Sequence, residues 1–175
     1  MQLKDYIPNI NKKFSNITFS GISFDSSKIK KNNIFFAIQG NKFDGNDYIE
    51  EAIKNGAKII VTEKKKIKKK KDKIFLHSLN VRKLLAEVSY KILNKKPKKI
   101  VAVTGTNGKS SVADFYYQIF NLNSKKVASI GTIGINLKGK KKTLSNTTLD
   151  PILLSSTLQY LKKRKVENVI MEASS

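Results

Sequence analysis

The chain has 175 residues, enough for one or two small domains with cores of their own, and carries 35 Lys and Arg against 13 Asp and Glu, a net charge of +22. It has no cysteine, which excludes disulfides, a thiol nucleophile and thiolate metal ligands. No apolar run approaches the ~20 residues of a membrane span, and MQLKDYIPNI at the start lacks the apolar core of a signal peptide, so the cytoplasm is the expected compartment.

Asp5, Tyr6 and Ile7 suggest a short helix stopped before Pro8. Residues 17–24 alternate apolar and polar and run into Asp25-Ser26-Ser27, a strand-to-turn signal. Ile34 to Ile38 are a short buried strand, and residues 39–46 a loop rich in turn formers. A helix capped by Asn46 or Asp47 follows, with Tyr48, Ala52 and Ile53 on one face and Asn55-Gly56 closing it. Residues 57–62 form the next strand, so strand, helix and strand predict a parallel βαβ unit.

Residues 64–73, KKKIKKKKDK, read as a solvated, self-repelling loop rather than an anionic tether. Ile74-Phe75-Leu76 are another short strand, and His77, the single histidine, stands at its end in a structural role. Residues 80–93 give the clearest amphipathic helix: Val81, Leu84, Leu85, Val88 and Ile92 share a face and Asn80 caps it. The polar stretch 94–99 holds Pro97 and no apolar periodicity, which places a boundary between domains 1–95 and 96–175.

The second domain opens on IVAVTGTNGKSS, residues 100–111. The apolar run 100–103 reads as a buried parallel strand. It ends in Thr104-Gly105-Thr106-Asn107-Gly108-Lys109-Ser110, and a helix over 109–122 follows with Val112, Phe115, Tyr116 and Ile119 inward. Strand, glycine loop, lysine, hydroxyl and helix make a phosphate cradle. Glycines let backbone N–H groups approach phosphates, and the helix N-terminus adds partial positive charge. Lys109 would reach the β- and γ-phosphates of a nucleotide and Ser110 would offer its hydroxyl to Mg²⁺. Val103 stands where the long form of the motif has its first glycine, so the match is to the shorter GTNGKS.

Residues 127–132 form a second strand, and 133–143 a hairpin about Lys138-Gly139-Lys140. The polar loop 144–151 ends in Pro151 at the start of a helix that uses Ile152, Leu153, Ser156, Leu158 and Leu161. Residues 166–171 are a third strand with Glu172 at its carboxyl end. Ligands of such sheets bind at the carboxyl ends of the strands, so Gly105, Glu172 and the loop after Ile130 are expected to share one crevice, with Glu172 serving Mg²⁺. The fold class is α/β: a small first domain, then the start of a P-loop-type domain with a parallel sheet. The basic charge reads as compositional bias toward lysine, since only Arg82 and Arg164 are arginines, with general attraction to anions as a by-product.

Several segments together resemble the Mur ligases, ATP-dependent amide-forming enzymes of peptidoglycan synthesis. They are DSSK at 25–28, NIFFAIQGNKFDGNDYI at 33–49, GAKIIVTE at 56–63, VAVTGTNGKSS at 101–111, SNTTLDP at 145–151 and MEASS at 171–175. The Asn146-Thr147-Thr148 loop and the MEASS segment resemble most the tripeptide-forming branch. That branch adds a third amino acid, meso-diaminopimelate or L-lysine, to UDP-N-acetylmuramoyl-L-alanyl-D-glutamate.

The resemblance implies a UDP-sugar-binding first domain and ATP and Mg²⁺ in the second. It implies that Gly105, Thr106, Asn107, Gly108, Lys109, Ser110 and Ser111 bind ATP, with Lys109 catalytic. Ser26, Asn41, Lys42, Phe43, Asn146, Thr147, Thr148 and Ser174 would contact substrate, and Ser110 and Glu172 would serve the metal. Ser111 stands where the family often has Thr. The implied chemistry is phosphorylation of a carboxylate followed by attack of an amine, with no residue here needed as general base.

The family pattern continues past Ser175, so the chain is expected to be an N-terminal fragment, inactive alone, with an exposed sheet edge, and monomeric when complete. Its implied partners are the UDP-N-acetylmuramoyl dipeptide and a diamino acid, with no specific nucleic acid and no membrane span. The competing readings are a sibling ligase that adds the terminal dipeptide, and a non-catalytic nucleotide- or nucleic-acid-binding module.

Overall fold

The computed structural model of the protein describes residues 1–40, 43–65, 70, 72–93, 95–123, 125–132, 134–142 and 149–173. The chain divides into two units, Met1–Ile92 and Leu93–Ser175.

In the first unit, short apolar runs between turn formers give strands β1 (Ile22–Ser23), β2 (Asn33–Phe36), β3 (Ala57–Thr62) and β4 (Ile74–His77). They form one parallel sheet in sequential order β1-β2-β3-β4. Helices α1 (Leu3–Tyr6), α2 (Ile49–Lys54) and α3 (Val81–Ile92) complete it. Side chains alternate across a strand. Phe35, Ala37 and Ile60 accordingly pack with Ile49 and Ala52 of α2 on one face. Ile34, Phe36, Ile59 and Val61, all fully buried, fill the other. Helix α3 packs on α1 and β2 and buries Val81, Leu85 and Val88. The Asn80 side chain accepts from Lys83 N–H at 2.8 Å, the cap read from the sequence.

Two local expectations change here. The alternation over 17–24 forms a strand only at Ile22–Ser23, while Thr18 makes an isolated antiparallel bridge with Gln2. Asp44, rather than Asn46 or Asp47, caps the entry to α2: it accepts from Asn46 N–H at 2.9 Å and opens a 3₁₀ turn over Gly45–Tyr48. Tyr48 is therefore at the exposed end of that turn instead of on the buried face.

The second unit holds β5 (Lys99–Val103), α4 (Lys109–Leu122), β6 (Val127–Gly131), β7 (Gly134–Leu137), β8 (Lys140–Lys142), α5 (Pro151–Lys163) and β9 (Asn168–Glu172). Strand order is β5-β9-β6-β7-β8. The first three are parallel, and β6, β7 and β8 form an antiparallel meander. Lys138 and Gly139 both take positive φ, 53° and 74°, as a two-residue hairpin turn requires. On one face Ala128, Ile130, Ile135 and Val169 pack with Leu158 and Leu161 of α5. Asp150 caps α5, accepting from Ile152 and Leu153 N–H at 2.9 Å each, with Pro151 in its first turn. The α5 face departs from its pattern at two places, since Leu153 and Ser156 are exposed and Ser155 and Thr157 are buried instead.

Helix α4 covers β6 and β9 on the opposite face, and its inward residues are Ala113 and Tyr117. This overturns the expected inward set. Val112, Phe115 and Ile119 are 51%, 62% and 57% exposed, and Tyr116 is half-buried and stacked on Phe120 at 4.2 Å. The sheet takes Ala113 and Tyr117 from α4, and Val112, Phe115 and Ile119 point away. Strand β5 is likewise not the buried strand its sequence suggests. Among the described residues its one strand neighbour is β9, and Val101 and Ala102 are exposed.

Candidate functional site

Chain topology decides what meets at the glycine loop. β9 lies between β5 and β6, with Val103 opposite Glu172 and Ile130 opposite Met171. The carboxyl ends of three parallel strands therefore converge, as expected of ligand sites in such sheets. Backbone continuity is tight here, with Ala173 N–H donating to Val103 O at 2.9 Å.

The loop leaves β5 at Val103 and enters α4 at Lys109. Gly108 caps the helix with φ 76°, a left-handed conformation that glycine adopts without strain. A Cβ there would meet nothing within 4 Å, so the cradle is open above it. The Lys109 ammonium donates to Gly105 O and, at 3.4 Å, to Thr106 O, folding back over the loop. Thr106, Asn107 and Ser111 are exposed on the loop and first helical turn. Exposed N–H groups at the start of a 14-residue helix, one lysine and an adjacent hydroxyl suit a polyphosphate.

Glu172 is the buried polar centre, 4% exposed. Its carboxylate accepts from Ser110 Oγ at 2.9 Å, from Thr132 N–H at 3.1 Å and from Thr132 Oγ1 at 3.0 Å. It lies across the backbone of Gly131, where a Cβ would come within 2.1 Å of Oε1. Gly131 is therefore glycine because the carboxylate occupies the space of a side chain. Gly131 and Thr132 are the loop after Ile130 that the sequence places in this crevice, without a role for either residue. The available signal was a Gly-Thr pair at the carboxyl end of the strand that follows the P-loop helix.

These hydrogen bonds bring a carboxylate and a hydroxyl together at a helix N-terminus, and none of them comes from a cationic group. That is a hard-oxygen donor set, and it fits Mg²⁺. Among the described residues no three His, Cys, Asp or Glu side chains cluster as a self-contained metal site.

The first unit has its own feature. Ser26 is buried, and its hydroxyl donates to Glu51 Oε2 at 2.8 Å while Asn55 Nδ2 donates to Ser26 O at 3.0 Å. Helix α2 thus fixes the 3₁₀ turn over Ser26–Lys28. Above it Phe24, Phe43 and Tyr48 rim an open pocket of about 270 Å³ with Asp25 and Ser26. Phe43 is 69% exposed. The Ser27 hydroxyl and the Lys28 ammonium, 3.0 Å away, hold the Asp25 carboxyl below its ordinary range. The structure brings Ser26 and Phe43 to one pocket. Asn41, Lys42, Asn146, Thr147, Thr148 and Ser174 lie outside the described residues.

Residues 18–97 match the Mur ligase family catalytic domain, and residues 103–175 match the Mur ligase middle domain. The chain belongs to the Mur ligase family. The UDP-N-acetylmuramoyl-L-alanyl-D-glutamate–2,6-diaminopimelate ligase of Rickettsia typhi is 39% identical over 166 residues, covering 95% of this chain and 32% of the relative. Proteins of the same name from Buchnera aphidicola and Wigglesworthia glossinidia brevipalpis are 38% and 34% identical, covering 90% and 100% of this chain and 33% and 37% of their own.

A solved structure carrying that ligase name superposes with a TM-score of 0.81 and 25% identity over 99% of this Mur ligase chain and 36% of its own. The MurF ligase of Thermotoga maritima shares the fold, with a TM-score of 0.54 and 24% identity over 87% of this chain and 31% of its own. The chain spans about a third of the length of the curated relatives it matches. Among the described residues no helix is long and apolar enough to cross a membrane.

Proposed function

We propose that this Mur ligase chain supplies the nucleotide cradle and the UDP-sugar site of a cytoplasmic, ATP-dependent amide ligase. The ligase would join the third amino acid to UDP-N-acetylmuramoyl-L-alanyl-D-glutamate. The names of the relatives favour 2,6-diaminopimelate as that amino acid. The observation that carries the reading is the buried Glu172 carboxylate held by Ser110 of the glycine loop and by Thr132.

In this reading the loop N–H groups and Lys109 hold the β- and γ-phosphates of ATP. Ser110 and Glu172 hold Mg²⁺, which when bound offsets charge on the phosphates. The substrate carboxylate attacks the γ-phosphorus and ADP leaves, giving an acyl phosphate. The amine then attacks the acyl carbon, inorganic phosphate leaves, and the ammonium proton passes to solvent. The protein's work is positioning and charge stabilisation rather than covalent participation. In the first unit Ser26 and the aromatic rim around Phe43 would receive the UDP end.

Equilibrium binding tests the assignment of both sites in this chain. Lys109→Ala is expected to weaken binding of a non-hydrolysable ATP analogue with Mg²⁺ by at least ~10-fold, the range for losing one charge-assisted contact. UDP-N-acetylmuramoyl dipeptide should bind the variant as it binds the parent. Equal nucleotide affinity would remove Lys109 from the site.

A further inference from the structure

The amino ends of the second unit's strands carry a feature that the ligase chemistry does not use. Three turns meet there, because β7 runs antiparallel to β6 and returns its carboxyl end to the start of β6. The α4–β6 turn brings Lys125 and Lys126, the β7–β8 turn brings Lys138 and Lys140, and the α5–β9 turn brings Arg164 and Lys165. All six are exposed. Among the described residues none has an acidic partner, and the one carboxylate in these turns, Glu167, is 3.3 Å from Lys98.

Two grooves run between these cations. One of about 480 Å³ lies between the β7–β8 hairpin and α5, with Ile135, Leu137, Leu153 and Tyr160 as its apolar side. The other, about 270 Å³, lies at the α4–β6 turn. Leu137, Lys138 and Arg164 line both, so the two join into one track. The Arg164 guanidinium sits over the Tyr160 ring at 4.8 Å, and the ring is 47% exposed.

Compositional bias spreads lysine without regard to acids or grooves. It does not account for one of the chain's two arginines sitting over an exposed ring at the junction of two grooves. Cations also complement helix C-termini, and α4 and α5 both end here. That leaves Lys138 and Lys140 unexplained, since the hairpin turn is at no helix end.

We propose that this track binds single-stranded nucleic acid, with phosphates along Lys126, Lys138, Lys140, Arg164 and Lys165 and a base stacked against Tyr160. An apolar floor with an aromatic face and a cationic rim is the pattern that such strands need. A concave track suits a flexible strand better than a rigid duplex or a flat bilayer. The track is at the opposite end of the strands from Glu172 and the glycine loop, so a nucleotide in the cradle and a strand in the track do not compete.

The test is fluorescence anisotropy of a labelled uridine 12-mer titrated with this chain at several salt concentrations. Removing two phosphate contacts in Lys138→Ala/Arg164→Ala should weaken binding ~10-fold at moderate salt and flatten the log–log salt slope by about 1.4, at about 0.7 per contact. Lys12→Ala/Lys30→Ala, an equal change of charge in the first unit, should weaken it less than ~2-fold, since it removes only diffuse field. Tyr160→Ala should cost ~10-fold with the salt slope kept, and Tyr160→Phe should restore binding, because stacking needs the ring alone. Equal losses from the two double variants would overturn the proposal in favour of general charge. Displacement of the 12-mer by ATP analogue would place the strand in the cradle instead. Binding to phosphatidylserine vesicles that needs Arg164, with none to the 12-mer, would assign the track to a membrane and overturn the proposal as well.

Discussion

At Glu172 three donors and the bare backbone of Gly131 define where a carboxylate can sit, and the arrangement tolerates no added atom. Gly131→Ala is expected to force the carboxylate off Ser110 and Thr132 and to destabilise the second unit by about 2–4 kcal/mol, the cost of overpacking with loss of charged hydrogen bonds. Urea unfolding of the variant measures this, and a loss below about 0.5 kcal/mol would mean that the carboxylate can relocate freely.

Asp44 offers a second test at the same scale. The Lys64 ammonium, 2.8 Å away, and then the Asn46 N–H hold its carboxyl down at about 2 against an ordinary 3.8. The folded value is depressed, so this contribution to stability is present above 3.8 and is lost as pH falls toward 2. The Asn46 amide resonance should therefore titrate with a midpoint near 2 rather than near 3.8. The glycine loop, Lys109, Ser110 and Glu172 were all legible in the sequence, because a cradle needs those residue types in that order. Thr132 and Gly131 were legible only as the loop after Ile130, with no role assigned to either. Their importance comes from β9 lying beside β6, a neighbour relation that no local pattern encodes.

Among the elements, α4 shows where periodicity misleads. Val112, Phe115 and Ile119 recur at helical spacing and would form a core face by that criterion, yet the sheet receives Ala113 and Tyr117. A moment calculated from sequence locates an apolar stripe but not the element that covers it. Ile119→Glu should accordingly change the unfolding free energy by less than about 0.5 kcal/mol. Tyr117→Ala, which also removes the acceptor of the Gly139 N–H bond at 3.0 Å, should cost about 3 kcal/mol. Chemical denaturation of the two variants side by side checks the assignment of faces, and the reverse ranking would sink it. In α3, by contrast, Val81, Leu85 and Val88 of the five residues read as inward are buried and Leu84 and Ile92 are half-buried, because one amphipathic stripe meets one prepared surface.

For the whole molecule, the α/β class was legible because turn formers and strand–helix alternation recur along the chain. Strand order in the second unit was not, since insertion of a late strand between two early ones leaves no mark on any single segment. The net charge of +22 acts on both units at once. Self-repulsion of this size opposes compactness and is screened over about 8 Å at physiological salt. Thermal midpoints should rise as sodium chloride is raised from about 10 to 150 mM, where the screening length falls from roughly 30 Å. Calorimetry at fixed pH decides this, and flat midpoints would show that the lysines are already too far apart to repel.

The order β5-β9-β6 has a consequence for synthesis on the ribosome. β5 and β6 leave the exit tunnel as strands that are not each other's partners, with a gap between them one strand wide. β9 is made only after α4, the hairpin and α5, so its place between the two strands stays unfilled until then. The first unit faces no such delay, since each of its strands pairs with the one made just before. Translation therefore yields a finished first unit well before Glu172 can reach Ser110, and the nascent second unit exposes strand edges to chaperones throughout that interval.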